Sequence, residues 1–254
     1  MCRKRMFHVK RSMDALGLME VQAAAWGLRL GRERRGLLKE YAGLLARYDR
    51  ANIIGTRDVD KILMDHVLDS LSCFLQEALF RAGRLADVGS GGGLPGIPIK
   101  ILRPDLATTL VESTGKKAGF LRHAVDDLSL KGVVVANTRV EDLGRTPAHR
   151  GAYDVATCRA VARLSVVAEY CVPLLRTGGF AIAMKGRLDP VELAEGRGAL
   201  EALGAKVAET KRVPMLAEVG EKERNLVILE KTRETPARYP RRPGIVAKRP
   251  LGVR

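Results

Sequence analysis

The chain has 254 residues, 46% of them hydrophobic, enough to bury one large α/β domain and a modest extra element. Its 44 Lys and Arg against 29 Asp and Glu give a formal charge of +15, a balance suited to a polyanion. Four cysteines without a C-x-x-C pair argue against a disulfide framework and a zinc site. The lack of an apolar run of about 18 residues, or of an apolar stretch behind the basic start, argues against a membrane span and a secretory signal. The expectation is a monomer in the reducing cytoplasm, with no membrane contact and no bound metal.

Charge divides the chain. Residues 1–35 carry net +6 and residues 231–254 net +7, leaving only +2 for the 195 residues between. We expect residues 1–32 to be a basic, disorder-prone extension, with a weak helical pattern over Met13–Leu30. Residues 33–82 form a helical cap: Leu37, Leu38, Tyr41, Leu44, Leu45 and Tyr48 fall at helical spacing over about Glu33–Arg50, and a second helix spans about Val59–Phe80.

From Gly83 the pattern alternates. Strands are predicted at Arg84–Val88, Ala107–Glu112, Gly132–Asn137, Tyr153–Cys158 and Phe180–Lys185. Helices fall between them at Ile97–Leu102, Lys116–Ser129 and Leu164–Leu175, and a further one follows at Pro190–Leu203. Such βαβ repetition implies a mostly parallel sheet with helices on both faces. Ala205–Val213 and Asn225–Glu230 read as a closing antiparallel hairpin, giving seven strands across residues 83–230. Residues 231–254, rich in Pro and Arg, read as an extended basic tail.

The chemistry concentrates at Asp87-Val88-Gly89-Ser90-Gly91-Gly92-Gly93-Leu94-Pro95-Gly96, a glycine turn between the first strand and its helix. Open α/β sheets bind ligands there. A dinucleotide pattern can be laid on Gly91, Gly93 and Gly96, but Pro95 interrupts the helix start that should receive a pyrophosphate. The register acid-x-Gly-x-Gly-x-Gly on Asp87, Gly89, Gly91 and Gly93 fits S-adenosylmethionine better, because an acid before the turn can orient the loop and reach the donor's ammonium. Glu112, at the end of the second strand, can accept both ribose hydroxyls of an adenosine under either reading. Pro173-Leu174-Leu175-Arg176-Thr177-Gly178-Gly179-Phe180 gives a helix stop and Gly-Gly turn, as methyltransferases with a Rossmann-like sheet have before their fifth strand.

Several motifs occur together in order. Asn52-Ile53-Ile54-Gly55-Thr56-Arg57-Asp58 and His66-Val67-Leu68-Asp69-Ser70-Leu71 precede the glycine loop with its Gly93–Pro98 continuation. Gly115-Lys116-Lys117, Phe120-Leu121-Arg122, Arg139-Val140-Glu141, Cys158-Arg159-Ala160 and Lys185-Gly186 follow. From about Leu37 to Glu230 the whole resembles the ribosomal RNA small subunit methyltransferase G family. It departs at Ile53-Ile54, where members usually carry Leu-Thr, and its first thirty residues match nothing placed.

The resemblance implies a Rossmann-like methyltransferase fold and transfer of a methyl group from S-adenosylmethionine to N7 of a guanine in small-subunit (16S) ribosomal RNA, near the decoding site. It implies donor contacts at Gly89, Leu94, Val140, Glu141 and Arg159. Guanine N7 bears no proton, so the transfer needs alignment but no general base. Arg159 is expected to hold the guanine edge or a phosphate, and His66 to face the cleft as a second catalytic candidate. Lys185, Lys116, Lys117 and Arg122 are the candidate RNA contacts. Two other functions remain open to the sequence: a NAD-dependent oxidoreductase on the same sheet, and an RNA-binding module with an empty donor site.

Overall fold

The computed structural model describes residues 14–159, 162–220 and 222–252. Most of the basic N-terminal run, residues 1–13, lies outside them.

The next segment folds. Helix α1 (Ala15–Ala25) is capped by Asp14, whose carboxylate accepts the Gly17 amide at 2.8 Å, and it buries Met19 and Ala23. Trp26 closes it, donating Nε1–H to the Pro214 carbonyl at 2.7 Å, and Leu28 and Leu30 are buried beyond. These apolar residues make the segment part of the cap, against the expectation of a disordered extension.

Helix α2 (Arg32–Arg47) buries Leu38, Tyr41, Ala42, Leu44 and Leu45 along one stripe, as the spacing predicts. It ends before Arg50, because Tyr48 turns to extended backbone. The second predicted helix is less regular. α3 (Val59–Ile62), capped by Asp58, passes into a π turn at Leu63–Val67, then α4 (Leu68–Leu71), then a 3-10 turn at Ser72–Leu75. The chain breaks at Gln76, which is extended, and α5 (Ala78–Arg81) is a separate turn. Single π turns inside helices often mark functional positions.

The sheet follows in order: β1 (Arg84–Val88), α6 (Gly96–Leu102), β2 (Ala107–Val111), α7 (Gly115–Asp127), β3 (Val133–Ala136), α8 (Val140–Leu143), β4 (Tyr153–Arg159), α9 (Leu164–Cys171), β5 (Leu175–Lys185), α10 (Pro190–Leu203), β6 (Ala205–Arg212) and β7 (Asn225–Lys231). The spatial order is β3-β2-β1-β4-β5-β7-β6. β7 runs antiparallel to both β5 and β6, and the remaining pairs are parallel. One core joins the cap to α6, α7 and one sheet face. The other packs α9 and α10 on the opposite face. The strand order reverses between β1 and β4, so a crevice opens above their carboxyl ends.

The expected extended tail is instead docked. Arg150 donates to the carbonyls of Tyr239 and Thr235 at 2.6 and 2.7 Å, and Arg145 to that of Pro240. Arg241 pairs with buried Glu169, and a last turn, α11 (Ile245–Lys248), buries Val246. Charge counting could not show that Arg241 of the tail serves an internal acceptor, or that Arg145 and Arg150 of the body hold tail carbonyls.

Candidate functional site

The glycine loop closes on its own backbone. The amides of Gly89 and Ser90 both donate to the Val111 carbonyl at 2.9 and 3.0 Å, tying the turn to β2. At Gly91, φ is +56°, and a Cβ there would meet nothing closer than 3.9 Å, so the space beside it is open. Gly93 is a different case. A Cβ there would press on the Ile97 side chain, with Cγ1 at 2.7 Å, so this position serves packing and its face is not toward a ligand.

Asp87 braces the loop from beneath. It is fully buried, and its carboxylate accepts from Thr157 Oγ1 at 2.9 Å and the Gly96 amide at 3.2 Å. Burial lifts its pKa to about 6 against those hydrogen bonds. Asp87 lines neither cavity beside the loop, so in place of the expected reach to a donor ammonium its buried carboxylate holds the start of α6.

Two cavities meet at Gly89. The smaller, about 250 Å³, is lined by Val88, Glu112, Val140, Glu141, Tyr170 and Ala247, among others. Glu112 accepts the Gly91 amide on one oxygen at 3.0 Å and the Thr114 amide on the other at 2.7 Å. Each oxygen keeps a further lone pair for a ligand hydroxyl. A cavity that combines apolar Val88, Val140 and Val166 with the Glu112 and Glu141 carboxylates suits the base and ribose of an adenosine.

The larger cavity, about 590 Å³, lies on the other side of the loop, lined by Gly91, Leu94, His66, Asp69, Arg159 and Arg224 together with Lys117 and Lys185. Its floor is an ionic chain. Arg159 lies 3.2 Å from His66 Nδ1 and 3.6 Å from Asp69. Arg224 Nε pairs with the other Asp69 oxygen at 3.0 Å, and Lys222 meets Asp65 at 2.6 Å. Burial raises the Asp69 carboxyl despite two guanidiniums beside it. Burial, aided by Arg159, drives the His66 imidazole down to about 4, so it is neutral near pH 7 and accepts from Arg159. Nη1 of Arg224 is buried and finds no partner among the described residues.

The structure thus gathers Gly89, Gly91, Leu94, Arg159 and His66 about one opening, with Glu112, Val140 and Glu141 across the loop. Lys117 reaches the cleft, whereas Lys116 and Arg122 stand exposed beyond it. Lys185 lies at the rim but is engaged, donating to the Ala162 carbonyl and Glu192 at 2.6 Å each.

Sequence reasoning missed several contributors. Tyr41 donates its hydroxyl to the Gly92 carbonyl, and Ile53 and Leu45 occupy the space a Gly92 Cβ would need, so the cap clamps the loop from above. A tyrosine inside an apolar helical stripe must find an acceptor, which was the available signal. Arg224 and Ala247 sit in segments whose sequence gives no periodicity to read.

Sheet order, glycine turn and paired cavities define a Rossmann-like methyltransferase. The fold resembles a 1,6-didemethyltoxoflavin-N1-methyltransferase from Burkholderia thailandensis, with a TM-score of 0.51 and 19% identity, covering 76% of this chain and 90% of that one. The chain belongs to the rRNA small subunit methyltransferase G family, whose model matches residues 34–227. A ribosomal RNA small subunit methyltransferase G from Rubrobacter xylanophilus is 59% identical over 98% of this chain and 95% of its own length. Another from a Roseiflexus species is 44% identical over 90% and 97%. Among the described residues, no helix is long and apolar enough to cross a membrane, and no group of three or more His, Cys, Asp or Glu converges as a metal site.

Proposed function

We propose that the chain methylates N7 of a guanine in small-subunit ribosomal RNA, working as a monomer in the cytoplasm. The observation that carries this is the meeting of the two cavities at Gly89: one of about 250 Å³ bordered by Glu112, Val140 and Glu141, and a charged cleft of about 590 Å³ on the other side.

S-adenosylmethionine supplies an electrophilic methyl on its sulfonium. Glu112 takes the ribose hydroxyls, Val140 and Glu141 border the adenine, and Gly89, Gly91 and Leu94 form the surface along which the methionine part lies. Opposite them, Arg159 and Arg224 offer donors and Asp65 and Asp69 offer acceptors. That pattern complements guanine, which presents an acceptor at O6 and donors at N1 and N2. The pairs are preformed, so little reorganisation accompanies binding.

His66 has no proton to remove from N7, and its neutral ring orients Arg159. Alignment of base and methyl can supply about 7–11 kcal/mol of the barrier, the main contribution asked of the residues here. Lys117 and Lys222 at the cleft and Lys116 and Arg122 beyond it meet RNA phosphates.

A dinucleotide fits less well. The buried Asp87 carboxylate already caps α6, where a pyrophosphate would have to sit. Calorimetric titration with S-adenosylhomocysteine and with NAD separates these readings: binding of S-adenosylhomocysteine alone is expected, and binding of NAD alone would overturn the proposal. Labelled donor incubated with small and large subunits, naked and assembled, should label only small-subunit RNA.

A further inference from the structure

The C-terminal segment looks, by charge, like an arm for RNA. We propose instead that residues 232–252 are part of the donor site: a strap that brings Ala247 into the wall of the adenosine-side cavity and is fixed by Arg241 on Glu169. This rests on reading that cavity as the donor site.

Helix α9 carries both halves of the connection. Glu169 is fully buried, and its Oε1 accepts the Arg241 amide at 2.7 Å and Nε at 2.9 Å. Its Oε2 accepts Nε at 3.0 Å and Nη2 at 2.6 Å. The neighbouring Tyr170, and Val166 one turn earlier, line the cavity. The strap is therefore anchored on the same helix that forms the donor wall.

A buried carboxylate is costly when unpaired, so Glu169 ties the chain at Arg241 firmly. Upstream, the Arg150 and Arg145 guanidiniums hold the carbonyls of Thr235, Tyr239 and Pro240. Downstream, Gly244 turns the chain with φ +81° into α11, which lies against α9, buries Val246 and leaves Ala247 at the cavity. Arg241 is thus a positioning residue: it does not line the cavity but sets where Ala247 lies.

The test measures S-adenosylhomocysteine affinity by calorimetry for the full chain, Arg241→Ala, a chain ending at Pro243, and Ala247→Trp, which leaves the anchor intact. Each variant should bind about tenfold or more weakly. The KM for S-adenosylmethionine should rise with kcat nearly kept, and the affinity of donor-free protein for small-subunit RNA should stay within about threefold. Folding of each variant is checked by circular dichroism, and Ala247→Trp decides if Arg241→Ala does not fold.

Unchanged donor affinity in the folded variants would overturn the strap, as would a loss confined to RNA binding. Glu112→Ala serves as the control for the cavity itself. If it weakens donor binding while the strap variants do not, only the present inference fails. If it binds like wild type, the reading of the cavity falls and the strap's role with it.

Discussion

His66 occupies the cleft as a neutral ring, since burial and the Arg159 guanidinium beside it hold its pKa near 4. Its NMR titration should show no protonation above about pH 5, and methyl transfer should be insensitive to this group from pH 6 to 8. A midpoint near 6.5 would contradict the arrangement. Asp87 titrates in the opposite sense. Burial lifts its carboxyl to about 6, so between about pH 4 and 6 the folded chain holds a proton that the unfolded chain releases, and stability declines as pH rises through that window. Asp87→Asn should remove this slope in urea unfolding, while Asp87→Ala, which strands Thr157 and the Gly96 amide, should cost about 2–4 kcal/mol. Gly91→Val should abolish S-adenosylhomocysteine binding, because φ is +56° there and the new side chain would stand in open cavity space. Individual residues were legible where the motif dictates backbone, as at Gly89 and Gly91. They were less so where burial decides. Asp87 and Gly93 share the motif with them, but both turn inward, and no sequence pattern shows which way a side chain at a strand end points.

Secondary elements explain how those residues are held. The cap contributes Tyr41 and Leu45 from α2 and Ile53 from the following loop, all pressed on Gly92. Tyr41→Phe leaves the Gly92 carbonyl without its donor; the expected result is a loss of about 1–3 kcal/mol in unfolding and weaker donor binding, with RNA affinity kept. Equal donor affinity in the folded variant would show that the clamp is only structural. Most of β1 to β5 stood out in sequence because short apolar runs alternate with helical stretches, and β6–β7 because two strand-like runs are joined by a short polar loop. The rod from Val59 was predicted as uniform. Its π turn and the break at Gln76 leave no mark in local periodicity; Asp65 and His66 of the π turn meet Lys222 and Arg159, residues far along the chain. Helix α1 was underrated for a related reason: the Pro214 carbonyl that Trp26 bonds, and the π turn it packs near, lie far along the chain.

Across the whole molecule, the charge of +15 is partly internal. Arg241, Arg145 and Arg150 spend their donors on the fold, while Lys116 and Arg122 remain exposed past the cleft. Replacing Lys116 and Arg122 together with alanine should weaken RNA binding and flatten the slope of log affinity against log salt by about 1 to 2 units, leaving donor affinity unchanged. The mostly parallel sheet with its closing hairpin was readable from alternation, whereas the strand order with its reversal between β1 and β4 came from the structure; the tail's docking was not readable, because composition reports charge but not its partner. The most direct test of the proposed chemistry is to map methylated bases in small-subunit RNA after incubation of subunits from cells lacking this protein with the purified chain and labelled S-adenosylmethionine. The arrangement predicts a single new N7-methylguanosine, detected as label and as strand cleavage at one guanine. Label on another base, on another guanine atom, or on no RNA at all would contradict it.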